Sequence, residues 1–202
     1  MGKSRNSRLS LLLGLLFSAW LVLLPIVQRP VSGQPEIGES FLHYEYSSPA
    51  RRDDCAYLGV PEGKGFTIQE IEADLIVVMV LNIHCTACQM QAPVYNEVIW
   101  RLEGDPLTRG RIKWIGVGVG NNEIEVKYFR EEKGISFPIL ADEDFKFYNV
   151  LGGPDRVRVP LTILIGRDED RGLIIINSHT GFRQNGEEIF RGIKGALPHG
   201  KP

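Results

Sequence analysis

The sequence predicts an α/β sandwich in which a mixed central sheet is flanked by helices, and three observations carry that reading. Leu75-Ile76-Val77-Val78-Met79-Val80-Leu81-Asn82-Ile83 is a near-continuous apolar run, as expected of a central strand covered on both faces. Strand-like and helix-like stretches then alternate, which requires crossovers between parallel neighbours, and the last two strands are joined by a turn, which makes them antiparallel. A composition of 43% hydrophobic and 24% charged residues over 202 positions is that of a chain able to bury one domain-sized core.

Residues 34–52 contain Pro35, Gly38 and Pro49 without sustained periodicity and read as a lead-in with one short strand, so that residues 34–63 are set apart from a main domain at 64–202. Phe66-Thr67-Ile68 ends a strand and Gln69 to Glu72 makes one helical turn before the apolar run. From Thr86 to Leu102, Met90, Val94, Val98 and Leu102 recur at helical spacing. Pro93 lies inside that helix and is expected to kink it, and Gly104-Asp105-Pro106 ends it. Ile112 to Val119 is a strand, and Glu123 to Lys133 is an amphipathic helix stopped by Gly134. Phe137 to Leu140 is a short strand, and Asp142 to Val150 a short helix ended by Gly152-Gly153-Pro154. Leu161 to Ile165 and Leu173 to Asn177 form a hairpin across a polar turn, and Glu187 to Ala196 is the last helix.

The first 33 residues have a different character. Lys3, Arg5 and Arg8 precede an apolar stretch from Leu9 to Val27, the pattern of an export signal. It is either cleaved before Gln34, after Val31-Ser32-Gly33, or retained as an N-terminal membrane anchor. Setting aside the four basic residues of that segment leaves 19 basic against 25 acidic side chains. A mildly acidic body without a basic run excludes a nucleic-acid partner.

Export places the three cysteines, Cys55, Cys85 and Cys88, in an oxidising compartment, where a thiol pair is either a structural bridge or a redox centre. Cys85 falls where the apolar strand ends and the helix begins, so its sulfur is expected beside unpaired N–H groups and the positive end of the helix dipole. Lowering a thiol pKa from about 8.5 to about 7 takes roughly 2 kcal/mol, which a partly buried helix end can supply. Cys88 lies one turn along the same face, within disulfide reach, so the pair Cys85-Cys88 can bridge. Cys85 is then the attacking nucleophile and Cys88 the more buried resolving thiol. A loop this short gives an inert bridge little chain-entropy value.

Other chemistries fit less well. Haem attachment needs His after the second cysteine, where Gln89 stands, and a zinc knuckle needs a second ligand pair, so no cofactor and no metal are assigned. A thiol peroxidase pattern would put Thr at Asn82 and Pro at Val78. A copper-binding assembly factor, with His179 as a third ligand, stays as the alternative from another class. Cys55 reads as a buried bystander, His43 and His199 as solvated, and Trp100 and Trp114 as core.

Val80-Leu81-Asn82 leading into Cys85-Thr86-Ala87-Cys88, Pro93, Phe137-Pro138-Ile139-Leu140-Ala141-Asp142 and Val159-Pro160-Leu161-Thr162-Ile163-Leu164-Ile165 together resemble the thioredoxin superfamily, and within it the exported TlpA/ResA-type branch, over roughly residues 64–196. The resemblance implies a thioredoxin-like sandwich with that branch's extra strand-helix insertion. It also implies a cis Val159-Pro160 peptide facing the cysteines, where Val159 and Pro160 bind substrate. The activity implied is thiol-disulfide exchange with protein partners in the periplasm or at the outer face of the cytoplasmic membrane, reducing in most of the branch, as in cytochrome maturation, with electrons from a membrane or envelope donor. A disulfide-forming oxidant of the same fold is the other direction. The chain departs from the pattern at His84, where Trp is usual and which is assigned to substrate contact. It departs again at Met79 and Gln91, which replace the carboxylates that serve proton transfer and leave water or Glu97 to substitute.

Overall fold

The run Leu75–Leu81 forms a strand in which every side chain is buried, and its alternation divides the core in two. Ile76, Val78 and Val80 join one apolar cluster, whereas Leu75, Val77, Met79 and Leu81 join the other. Burying seven such side chains contributes on the order of 10–20 kcal/mol, an upper bound set by the extended-chain reference. The computed structural model describes residues 35–198, which form one compact unit. Among these residues no helix is long and apolar enough to cross a membrane. The apolar segment before Gln34 and His199 lie outside the described residues.

In chain order the elements are β1 (Glu45–Tyr46), α1 (Arg52–Leu58), β2 (Phe66–Thr67), a 3-10 turn at Ile68–Glu70, β3 (Leu75–Leu81), α2 (Thr86–Gly104), β4 (Ile112–Val119), α3 (Glu123–Lys133), β5 (Ile139–Asp142), α4 (Lys146–Val150), α5 (Gly153–Arg156), β6 (Leu161–Asp168), β7 (Gly172–Thr180) and α6 (Gly186–Gly195). The five-stranded sheet runs β5-β4-β3-β6-β7. β3 is parallel to β4 and β4 to β5, while β6 is antiparallel to both β3 and β7. This is the mixed sheet flanked by helices of a thioredoxin-like sandwich, with β5 and α4 as the additional strand and helix.

Several local expectations change. α2 spans Thr86 to Gly104 with Pro93 inside it, as expected, but its buried face is Cys88, Gln91, Ala92, Tyr95, Val98, Ile99 and Leu102. Met90 and Trp100, each two residues beyond a buried position and so about 200° around the helix, are 49% and 77% exposed. Trp100 is therefore surface, not core, whereas Trp114 is buried against Tyr95 and Phe137. Asp142 ends β5 instead of opening a helix. Gly152-Gly153-Pro154 begins the separate helix α5, with Pro154 in its first turn, where a missing N–H costs nothing.

Residues 35–63, which the sequence sets apart, cover the face of the sheet that carries Ile76, Val78 and Val80. Phe41, Tyr46, Cys55, Leu58 and Val60 are buried there, and β1 pairs with β2. α1 docks through polar contacts as well: the Trp114 N–H donates to the Tyr57 hydroxyl at 2.9 Å, and Arg130 of α3 pairs with Asp54 at 2.6 Å. That ion pair is largely buried, and Arg130 also donates to the Ile135 and Ser136 carbonyls. Removing one partner of a buried pair costs much more than replacing both. Asp54→Ala is expected to lower the unfolding free energy in urea by about 3 kcal/mol, and Asp54→Leu with Arg130→Met to recover most of it. Equal losses in the two proteins would contradict this origin.

Candidate active site

The turn between β3 and α2 is pinned on both sides before it reaches Cys85. Asn82 donates from Nδ2 to the Val119 carbonyl at 2.7 Å, and its Oδ1 accepts from the His84 N–H at 2.9 Å. The Ile83 N–H donates to Asn121 Oδ1 at 3.0 Å, and Gln89 Nε2 donates to the Ile83 carbonyl at 2.8 Å. The ends of β3 and β4 are thus tied together, and Cys85 becomes the N-cap residue of α2.

Cys85 takes the extended backbone usual for an N-cap, and its sulfur accepts from the Cys88 N–H at 3.4 Å, as a capping oxygen would. The sulfur thus sits beside the free N–H groups that open a 19-residue helix. Cys85 is partly exposed, and its thiol lies 3.7 Å from the Val159 carbonyl. Val159-Pro160 is a cis peptide, and the Pro160 carbonyl accepts from the Gly181 N–H at 2.7 Å.

Cys88 is fully buried among Leu81, Ala92 and the rest of the second apolar cluster. Burial pushes its thiol far above the usual range; the Asn82 backbone works against this, and the nearby Cys85 sulfur adds to it. All three cysteines are unbridged in this structure. Cys55 is buried in the opposite cluster, its thiol 3.6 Å from the Pro49 carbonyl, and the sheet separates it from the pair.

The remaining candidates lie apart from the sulfurs or play other parts. His84 is exposed and its Nε2 lies 3.5 Å from Glu125. The Glu125 carboxyl is held below the usual range first by the Asn122 N–H it accepts and then by His84. Gln91 is fully buried, with Oε1 accepting from the Arg183 N–H at 2.7 Å and Nε2 donating to the Arg183 carbonyl at 3.2 Å. It fastens α2 to the segment after β7. Glu97 is exposed and nine residues beyond Cys88, about 13 Å along the helix, so it cannot exchange a proton with that thiol. Met79 is a buried residue of β3 whose side chain joins the same apolar cluster as Cys88. His179 lines a separate cavity with Tyr95, Thr162 and Arg183, and among the described residues no three His, Cys, Asp or Glu side chains converge on a metal position. His179, the third ligand of the alternative copper reading, is therefore not placed with the cysteines.

Two aromatic residues that the sequence reading passed over border the same groove as Cys85, together with Asn82, His84, Val119 and Val159. Phe145 is 45% exposed and is the one non-glycine residue with positive φ among the described residues, at 59°. That conformation costs a bulky residue roughly 1–3 kcal/mol. It is held by Asp142, whose carboxylate accepts from the Phe147 and Tyr148 N–H groups at 3.0 Å each and caps α4. The Phe145 ring lies over Gly120, where a Cβ would come within 2.6 Å of it. Tyr148 completes the wall, its ring 6.2 Å from that of Phe145 and its hydroxyl donating to the Val157 carbonyl at 2.7 Å. Nothing in the sequence signals a left-handed phenylalanine.

Comparison with known proteins agrees with this geometry. The chain is 28% identical over 120 residues to the thiol-disulfide oxidoreductase ResA of Halalkalibacterium halodurans, a match covering 59% of this chain and 61% of that protein. The chain thus spans about three fifths of the length of that curated relative. Among solved structures, the thioredoxin domain of a thiol-disulfide oxidoreductase from Bacteroides vulgatus superposes with a TM-score of 0.58 at 13% identity, covering 81% of this chain and 99% of that one. A thiol:disulfide interchange protein of the thioredoxin family from Chlorobium tepidum TLS gives 0.54 at 16% identity, covering 81% and 99%. At such identities the two structures establish the thioredoxin-like fold. The profile of the AhpC/TSA family matches residues 56–170, more than half of the chain and inclusive of Cys85, Cys88, Val159 and Pro160; this protein therefore belongs to the AhpC/TSA family, within the thioredoxin superfamily, and carries a CxxC pair at the head of α2.

Proposed function

We propose that this protein is a thiol-disulfide oxidoreductase of the TlpA/ResA type, working outside the cytoplasm as a reductant of protein disulfides. The observation that carries the reading is the asymmetry of the pair: a partly exposed Cys85 sulfur at the N-terminus of a long helix and a fully buried Cys88 one turn behind it. Two thiols in equivalent surroundings would have no order of attack.

In the proposed reaction the Cys85 thiolate attacks one sulfur of a substrate disulfide. A Cys85–substrate disulfide forms, the substrate S–S bond breaks, and the other substrate sulfur leaves as a thiolate that takes a proton from solvent. Cys88 then gives up its proton to water and attacks the Cys85 sulfur, closing the Cys85-Cys88 bridge and expelling the second substrate sulfur as a thiolate that takes a proton from solvent. Two electrons pass from the protein to the substrate, and a membrane or envelope dithiol donor must return them. Val159 and Pro160 are assigned to the bound substrate strand because the Val159 carbonyl lies beside the Cys85 sulfur, and His84 to the rim because it precedes Cys85 and is exposed. The N-terminal apolar stretch fits delivery to the periplasm or attachment at the outer face of the membrane, where an apocytochrome or another exported thiol protein is a suitable partner.

Cys88→Ser is expected to accumulate a mixed disulfide through Cys85 when the reduced protein meets a disulfide substrate, and Cys85→Ser to form none. Trapping through Cys88 in the second variant would reverse the roles. The raised pKa of Cys88 also sets a pH dependence. Below that pKa its thiolate fraction grows about tenfold per pH unit, so closure of the bridge should accelerate by about that factor per unit between pH 6 and 8 in stopped-flow fluorescence. A flat profile would mean that Cys88 does not limit the step.

The same shift predicts stability. A folded thiol pKa above the unfolded value of about 8.5 contributes stability in full below pH 8.5, and this is lost as pH rises toward the folded pKa. The reduced protein should therefore lose up to about 1.4 kcal/mol per pH unit between pH 8.5 and 10 relative to Cys88→Ala, measured by urea unfolding. Parallel curves would contradict the buried thiol.

A further inference from the structure

We propose that Phe145 and Tyr148 form a specificity wall that selects protein disulfides flanked by apolar or aromatic residues. This rests on the redox reading above and names the substrate class of the same site. Any disulfide in line with the Cys85 sulfur must bring its neighbouring residues over the groove that begins at that sulfur, and the walls of this groove are Val119, Phe145, Tyr148 and Val159, with Asn82 and His84 at the turn.

Most of the side-chain polar atoms of those walls are engaged within the protein. Asn82 Nδ2 is bonded to the Val119 carbonyl and Oδ1 to the His84 N–H. The Tyr148 hydroxyl is bonded to the Val157 carbonyl, and His84 Nε2 lies against Glu125. A charged or strongly polar flanking side chain would lose water there and find few free partners, whereas an apolar one gains contact with rings and branched side chains. The conformation of Phe145 points the same way. A large aromatic residue is kept nearly half exposed with φ at 59°, over a glycine with no side chain to obstruct the ring, and backbone held in such regions concentrates where ligands are gripped.

The test uses symmetric disulfide dimers of the peptide Gly-Ala-X-Cys-X-Ala-Gly, with X as Phe, Leu, Gly or Asp, so that attack on either sulfur gives the same adduct. The second-order rate of thiol release is measured with the reduced protein. The Phe and Leu dimers should react about tenfold faster than the Gly dimer, the discrimination an open apolar subsite provides, and the Asp dimer should be the slowest. In Phe145→Ala and in Phe145→Asn, the second of which tolerates the left-handed backbone, the Phe-to-Gly ratio should fall below about twofold. A structural role alone would slow all dimers together and leave the ratio intact, which would overturn the proposal, as would a wild-type protein that reduces every dimer at one rate. If the wild-type protein cannot reduce even 2-hydroxyethyl disulfide, the redox reading itself fails and the wall falls with it.

Discussion

The position of the Cys85 sulfur depends on a short turn whose backbone is bonded from both sides. Asn82 ties it to the end of β4, Asn121 holds the Ile83 N–H, and Gln89 reaches back from the first turn of α2 to the Ile83 carbonyl. With the turn fixed, the sulfur replaces the capping oxygen of an ordinary helix start and meets the Cys88 N–H. The chemistry of the pair follows from the difference in surroundings that this creates. One sulfur faces the groove at the head of a long helix, and the other is sealed in an apolar cluster where a charge is disfavoured.

The sheet supplies the rigidity this arrangement needs. β3 is buried on both faces, and the two sides are covered by different parts of the chain: α2 and α6 on one, and the N-terminal segment with α1 and α4 on the other. Residues 35–63 are therefore part of the support for the site, through the Tyr57 contact to β4 and the Asp54 pair with α3. The insertion comprising β5 and α4 has a second consequence, since it places the Phe145 and Tyr148 rings at the edge of the Cys85 groove.

What the sequence discloses follows the strength of local signals. The apolar run of β3, the Gly134 stop of α3 and the switch from crossovers to a hairpin are periodic or conformational signals, and the strand order agrees with them. The CxxC pair is legible because spacing alone places it at a strand-to-helix junction. The face of α2 was harder to read. An i+4 stripe through Met90 and Val94 competes with the true face, which contains the polar Gln91, and Trp100 looks like core by residue type. Gln91 earns its burial from one distant backbone unit, Arg183, and no pattern within the helix announces such a partner. The N-terminal segment lacks periodicity because its elements are short and its partners lie far along the chain, and the Phe145 conformation is imposed by the Asp142 cap.

The central claim is that position on α2 makes one sulfur reactive and the other closed. Timed alkylation of the reduced protein with iodoacetamide at pH 7, resolved by peptide mass spectrometry, tests it directly. Cys85 should be modified at least tenfold faster than either Cys88 or Cys55, consistent with partial exposure of the first and burial of the other two. Equal rates for Cys85 and Cys88, or earlier labelling of Cys88, would contradict the account.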